Sequence, residues 1–323
     1  MNKIKKRLLG RTGQKIAEIG LGGVFIAGRG GNIPNESIRV VRRSLELGVD
    51  YIDTAPLYGN SQVVLGEALR GSTEGYLLGT KCGRWDWRTG PYRNLDPYKV
   101  QLEKSLSELR RDSVDILYIH EADWAVYWED MDIPRKQMLI DQNASYDYAA
   151  APVFQFIQWA REQGFTRYIG ISGNNAHLLA KVLKECPLEI DVVLAAFQYS
   201  LIWRNAREHF LPVGKQMDVG VVLGGPLQQG RLSVPHREWL ENPPDWMDED
   251  TRGRFKSLYE IHEETGMTLA EMTVRFLLAD PYFTTVIPGA ANVEQLEENM
   301  KAAAAGPLPQ ELYDRLGALG KIF

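Results

Sequence analysis

Asp53 and Tyr58 bound the short run Asp53-Thr54-Ala55-Pro56-Leu57-Tyr58, which Gly59 closes and the apolar pair Tyr51-Ile52 precedes. A carboxylate at the end of a β run, with a phenol on the loop beyond, suggests redox chemistry on a carbonyl, whose oxygen must gain or lose a proton. Other polar residues close apolar runs in the same manner. Lys81 ends Leu77-Leu78-Gly79-Thr80-Lys81, His120 ends Val114-Asp115-Ile116-Leu117-Tyr118-Ile119-His120, and Gln198 lies near the end of Val192 to Tyr199. Singly, each has an ordinary reading: Asp53 as a turn residue, Lys81 as a surface charge, His120 as a satisfied core histidine. Repeated at successive strand ends, they predict one site.

The elements that must position these residues can be read from periodicity. Further β runs are expected at Ala17 to Leu21, Tyr168 to Ser172, Val219 to Leu223 and Thr284 to Ile287, which with the four above makes eight. Helical spacing lies between them: Ile38, Val41 and Leu45; Leu102, Leu106 and Leu109; Val153, Phe156, Ile157 and Ala160. Thr268-Leu269-Ala270-Glu271 reads as a capping box and Asn292 as an N-cap. Eight βα units predict an α/β fold, a (β/α)8 TIM barrel forming a single domain over 1–323, with chemistry at the carboxyl ends of its strands. A doubly wound sheet with a Gly-x-Gly-x-x-Gly turn is not indicated, since Gly28-Arg29-Gly30-Gly31 has the wrong spacing. Leu8 to Ile16 reads as a β-hairpin turning at Thr12-Gly13 and covering the barrel bottom. One segment breaks the alternation. From about 123 to 150, after the fourth strand, Trp124, Tyr127, Trp128, Tyr146 and Tyr148 stand among charges, as an insertion that either flaps over the substrate or is a surface excursion or subunit contact.

Composition removes several function classes. The 323 residues are 44% hydrophobic and 24% charged, ordinary for a chain with a sizeable core. Lys and Arg number 37 against 42 Asp and Glu, a net charge of −5 without basic clustering, so neither nucleic acid nor membrane is an expected partner. Lys3, Lys5, Lys6 and Arg7 precede only Leu8-Leu9 before Gly10-Arg11, too short for a secretion signal. Cys82 and Cys186 have no metal-ligand or disulfide spacing, which points to a reducing, cytoplasmic setting and to no metal site. Oligomeric state has no sequence signature here.

Taken together, Asp53-Thr54-Ala55 with Tyr58-Gly59, Gly79-Thr80-Lys81, Tyr118-Ile119-His120, Ile169-Gly170-Ile171-Ser172 and Phe197-Gln198-Tyr199 resemble the aldo-keto reductases. Val286-Ile287-Pro288-Gly289 through Glu298-Asn299 resembles that family's adenine-end segment, so the likeness runs from the hairpin to about residue 300. The resemblance implies a (β/α)8 barrel using a nicotinamide cofactor without metal. It implies catalytic roles for Asp53, Tyr58, Lys81 and His120. For the cofactor it implies Gly23 beside the mouth, Ser172 and Asn174 on the carboxamide, Gln198 near the nicotinamide, and Gly225, Leu227 and Gly230 in a loop over the pyrophosphate. Gly289, Gln295, Glu298 and Asn299 fall at the adenine end. Where many members carry Lys-Ser and then Arg around the 2′-phosphate, this chain has Gly289-Ala290 and Gln295, and Gly224 stands where relatives place an aromatic ring. NAD is therefore favoured, with NADP retained as the alternative.

In such chemistry hydride transfer makes or consumes an alkoxide, and Tyr58 is the expected acid–base group. A cation about 4 Å away, at an effective dielectric near 20, favours phenolate by about 4 kcal/mol. That gross figure lowers the expected Tyr58 pKa by up to about three units. Lys81 is the expected cation, Asp53 its holder, and a neutral His120 the donor that orients the substrate oxygen. Trp85 and Trp87, in the loop after Lys81, are expected to stack on a small carbonyl or sugar substrate or else simply to pack the loop. The altered late motif resembles the branch of fucose and galactose dehydrogenases, which implies oxidation of an aldose at C1. An NADPH-dependent aldehyde or ketone reductase is one alternative, and a cofactor-binding regulatory subunit is another of a different class.

Overall fold

The computed structural model describes residues 4–28, 34–72, 75–86, 88–129 and 138–322. A two-stranded antiparallel hairpin, β1 (Lys6–Leu8) and β2 (Lys15–Ala17), is followed by parallel strands β3 (Leu21–Gly22), β4 (Tyr51–Asp53), β5 (Leu77–Cys82), β6 (Val114–Ile119), β7 (Thr166–Gly173), β8 (Val192–Ala196), β9 (Gly220–Gly224) and β10 (Thr285–Ile287). β3 to β10 pair in chain order. The ends of this sheet meet through Gly20 N–H to Val286 O at 2.9 Å, Val286 N–H to Glu18 O at 3.0 Å and Gly22 N–H to Pro288 O at 3.2 Å. The fold is a (β/α)8 TIM barrel, with helices such as Asn35–Glu46, Asp96–Leu109, Pro152–Glu162 and Val293–Ala304 between and after the strands.

Period-two alternation fills the barrel. Tyr51, Leu77, Ile116, Tyr118, Val192, Leu194, Val222 and Ile287 form one buried interior cluster, separate from the layer between strands and helices. Room for the large rings comes from glycine: a Cβ at Gly170 would stand 2.2 Å from the Tyr118 ring, whose hydroxyl lies 2.6 Å from that of Tyr51. Leu9 and Ile16 of the hairpin join the same cluster from below, and Arg11 N–H donates to Asp218 O at 2.8 Å beside the start of β9. The hairpin thus covers the amino-terminal end of the barrel. The expected first barrel strand is displaced: Ala17 belongs to the hairpin, and the barrel strand starts only at Leu21.

Asn292 caps as expected, accepting from Gln295 N–H; of the expected capping box the threonine half is made, Thr268 accepting from Glu271 N–H while the Glu271 carboxylate accepts from Arg275. In the segment after β6, Trp124, Tyr127 and Trp128 are buried core residues, and Leu139 bridges back to Trp124. The described part of this segment packs into the protein, where Tyr127 and Trp128 meet Tyr92 and Tyr148. Among the described residues, no helix is long and apolar enough to cross a membrane.

Candidate active site

The alternation that fills the barrel also decides which strand-end residues face its mouth. Asp53 follows Tyr51 by one inward step, Lys81 follows Leu77 and Gly79, His120 follows Ile116 and Tyr118, and Ser172 follows Tyr168 and Gly170. The pairing registers Asp53 to Gly79 and Lys81 to Tyr118 bring these ends side by side. Lys81 Nζ donates to both Asp53 oxygens, at 2.8 and 2.6 Å, and to Thr54 O at 2.8 Å. The Lys81 ammonium stands 4.7 Å from the centre of the Tyr58 ring, and the Tyr58 and His120 rings meet edge to face at 5.8 Å. Tyr58 reaches this place because a turn, closed by Tyr58 N–H to Ala55 O at 3.0 Å, folds its loop over the end of β4.

Burial governs the charges. It works against the Lys81 ammonium, but Asp53 and Tyr58 outweigh it and the pKa lies above the ordinary lysine value. Burial raises Asp53, with Lys81 opposing; a carboxylate gripping one ammonium with both oxygens is a charged pair, and we read it as such. His120 is held well below its usual range by burial, then by the charges of Lys81 and Arg84, so it is neutral. Its Nδ1 is buried with no hydrogen-bond partner among the described residues. Tyr58 departs from expectation. Burial raises its pKa, and the opposing effect of Lys81 does not cancel the rise. The expected lowering considered the cation and left out desolvation of the phenolate, which here is the larger influence. Cys82, buried and pushed far above the ordinary thiol range, is no nucleophile.

The other expected residues divide into those at the mouth and those turned aside. Ser172 is buried there, accepting from Glu121 N–H at 3.3 Å, and Asn174 Nδ2 donates to Glu121 Oε1 at 2.6 Å. β8 ends at Ala196, Phe197 takes φ +62°, and Gln198 Oε1 accepts from Ala176 N–H at 3.1 Å, two residues beyond Asn174. Gly23 N–H donates to Asp53 O at 2.8 Å, and a Cβ there would come within 2.6 Å of that oxygen. Beside Gly224, a Cβ on Gly225 would stand 2.3 Å from the Phe197 ring. A Cβ on Gly289 would stand equally close to the Phe25 ring. Gln295 Oε1 folds back to Ala291 N–H at 2.9 Å, Glu298 accepts from Thr268 at 2.7 Å, and Asn299 is buried. Trp85 packs edge-on against Tyr92 and Tyr98 of the loop and the helix Asp96–Leu109. Trp87 lies outside the described residues.

Spacing alone did not single out Arg84, Glu121, Asp123 or Tyr127. Arg84 and Glu121 form an ion pair next to His120. Asp123, pushed up to about 7 by burial, accepts from Asn174 N–H at 3.0 Å. The available signal was that Glu121 adjoins His120 and that Arg84 opens the loop after Lys81.

The residues present fit a nicotinamide dinucleotide. After β9, Leu227 has φ −89° and ψ 11°, and Gln228, Gln229 and Gly230 have φ of +51°, +57° and +93°. A right-handed residue followed by left-handed ones makes a concave backbone turn suited to an anion such as a diphosphate. Residues 18–321 match the Aldo/keto reductase family. The chain is 28% identical over 327 residues to an uncharacterized oxidoreductase, YqkF, of Bacillus subtilis, covering 95% of this chain and 94% of that one. It is 27% identical over 311 residues to the L-galactose dehydrogenase of Arabidopsis thaliana, covering 94% and 89%. Among solved structures it resembles the aldo-keto reductase AKR11C1 from Bacillus halodurans in its holo form, with TM-score 0.73 and 25% identity over 99% of this chain and 98% of that one. A closed barrel with polar groups gathered at one mouth, matched along nearly its whole length, makes this chain a member of the aldo/keto reductase family and an NAD(P)-dependent oxidoreductase.

Proposed function

We propose that this enzyme oxidises an aldose at its anomeric carbon with NAD, Tyr58 being the group that exchanges the proton. The observation that carries the reading is the Tyr58–Lys81–Asp53 cluster facing a neutral His120. When bound, the nicotinamide cofactor takes up the hydride. Tyr58, as the phenolate that Lys81 stabilises, removes the proton from the anomeric hydroxyl and becomes the neutral phenol, Asp53 fixes Lys81, and neutral His120 donates a hydrogen bond to the substrate oxygen. Ser172 and Asn174 are assigned to the carboxamide, the turn from Gly225 through Leu227 to Gly230 to the diphosphate, and Gly23, Gly289 and Asn299 to the remaining path.

Charge supports NAD over NADP. Gly289, Ala290 and Gln295 offer no cation, while Glu36 accepts from Val293 N–H at 2.9 Å and Glu294 sits in the same first turn of the helix Val293–Ala304. Carboxylates already at a helix amino terminus oppose a second anion there. The likeness to L-galactose dehydrogenase supports a sugar. Cys82 and Cys186, both buried free thiols, support a reducing, cytoplasmic setting.

A second reading, reduction of an aldehyde or ketone with NADPH, is favoured by the raised Tyr58 pKa, because a protonated phenol is a ready proton donor to a carbonyl. Initial rates on aldoses, polyols and simple aldehydes, in both directions and with both cofactors, separate the two. The expected result is the highest kcat/KM for aldose oxidation with NAD, together with tighter binding of NAD than of NADP. Turnover confined to NADPH-driven reduction sinks the aldose reading.

A further inference from the structure

A second ion pair stands at the mouth beside the first. Arg84 opens the loop after β5 and Glu121 the loop after β6, and the two side chains are joined. Both charges reach the reacting groups, Arg84 helping to lower the His120 pKa and Glu121 helping to raise that of Tyr58. The pair is held from several directions. The Arg84 guanidinium lies 4.1 Å from the centre of the Trp124 ring, and Glu121 accepts from Asn174 at 2.6 Å. Tyr127, fully buried, donates its hydroxyl to His120 O at 2.6 Å and accepts from Arg84 N–H at 2.8 Å. Arg84 and Glu121 both take left-handed backbone, φ +64° and +58°. Strain of this kind in two non-glycine residues persists only where the surroundings over-determine it, and it gathers at functional sites.

We propose that the Arg84–Glu121 pair is the substrate-selecting element of this mouth, binding the hydroxyls next to the reacting carbon of a neutral substrate and discriminating against anionic ones. It rests on the reading that a hydroxylated aldehyde or aldose reacts at Tyr58 and His120. A guanidinium has five donors and a carboxylate about four acceptor sites, more than one ion pair consumes. A pair of adjacent hydroxyls, each both donor and acceptor, satisfies the remainder. Of the three basic residues that face the reacting groups among the described residues, none offers surplus positive charge to an anion: Lys81 is held by Asp53, Arg84 by Glu121, and His120 is neutral. A phosphate or carboxylate must therefore displace Glu121 to reach Arg84.

The test compares kcat/KM for reduction of three aldehydes of similar length: glyceraldehyde, glyceraldehyde 3-phosphate and propanal. The wild-type enzyme is expected to prefer glyceraldehyde over both others by at least about tenfold, because a site built for hydroxyls rejects analogues that leave its polar groups unpaired. Arg84→Met should collapse the preference for glyceraldehyde over propanal. Glu121→Gln, by freeing the guanidinium, should shift the preference between phosphate and neutral aldehyde by at least about tenfold towards the phosphate. Arg84→Lys, which keeps charge and loses the fork, should fall between wild type and Arg84→Met, and serves if the methionine variant does not fold. Ratios that do not move in any variant overturn the proposal while leaving the oxidoreductase reading intact. Wild-type enzyme inactive on all three aldehydes and on every aldose in the oxidative direction overturns the aldose reading and this proposal with it.

Discussion

The two ends of the barrel use carboxylates differently. At the amino-terminal end, Asp50 accepts from Ala17 N–H at 2.6 Å, Asp115 from Leu78 N–H at 2.7 Å and Asp191 from Ile169 N–H at 2.8 Å, so acids tie neighbouring strands through backbone amides. At the carboxyl end, Asp53 and Glu121 instead hold the side-chain cations Lys81 and Arg84. Positive φ in non-glycine residues occurs at both ends, at Arg110 and Asp218 before β6 and β9, and more often at the mouth. Arg84, Glu121, Phe197, Gln228 and Gln229, all beyond the carboxyl ends of strands, have positive φ, at a cost on the order of 1–3 kcal/mol each. The carboxylates at the bottom take strand amides as well as the cations Lys6 and Arg167, whereas the mouth sets two cation–carboxylate pairs beside the reacting groups. The lower end is therefore read as serving stability and the upper as serving chemistry.

The largest effect should come from breaking the upper pair. Lys81→Met leaves Asp53 buried without its partner, which should cost about 3–5 kcal/mol in urea unfolding, together with most turnover. A variant of wild-type stability would show that the pair carries no net buried charge. Tyr58→Phe should reduce kcat by about 10²–10⁴ with unchanged cofactor dissociation constant, measured by initial rates and fluorescence titration. Near-parental turnover would remove Tyr58 from the mechanism. At the lower end, Asp191→Ala should cost about 1–3 kcal/mol of stability, since the buried Ile169 N–H loses its acceptor, while kcat/KM stays at the wild-type value. A change in kcat/KM there would erase the division between the ends.

The pH profile should sharpen the comparison further. Because burial holds the Tyr58 pKa above the ordinary phenol value, Tyr58 is protonated through the neutral range. Oxidation, which needs the phenolate, should then rise by about tenfold per pH unit below that pKa, while reduction stays level. In the activity left to Lys81→Met, the rise should move to higher pH, because the cation opposing burial is gone. A flat oxidation profile would contradict the assignment.

Strand-end chemistry was legible where a side chain followed an unbroken alternation. Asp53, Lys81, His120 and Ser172 share the inward parity of Tyr51, Leu77, Tyr118 and Gly170, and the capping residues Thr268 and Asn292 act within a single turn of chain. At Gln198 the alternation no longer applies, because the positive φ at Phe197 ends it one residue earlier, a conformation that phenylalanine does not advertise. Trp85 meets Tyr92 and Tyr98, and Trp128 meets Tyr148, contacts made between loops and helices that periodicity does not describe.

By itself the sequence determined the barrel, its hairpin floor and the candidate cluster, because period-two and helical spacing are local properties and the order of elements then leaves one closed arrangement. Only the tertiary structure decided the balance at Tyr58, where burial outweighs the cation, and the joining of Arg84 to Glu121 across two loops. Desolvation depends on how many atoms from every neighbouring element surround a group, and ion pairing between loops depends on the angles at which strands deliver them; neither quantity is written in any one stretch of chain.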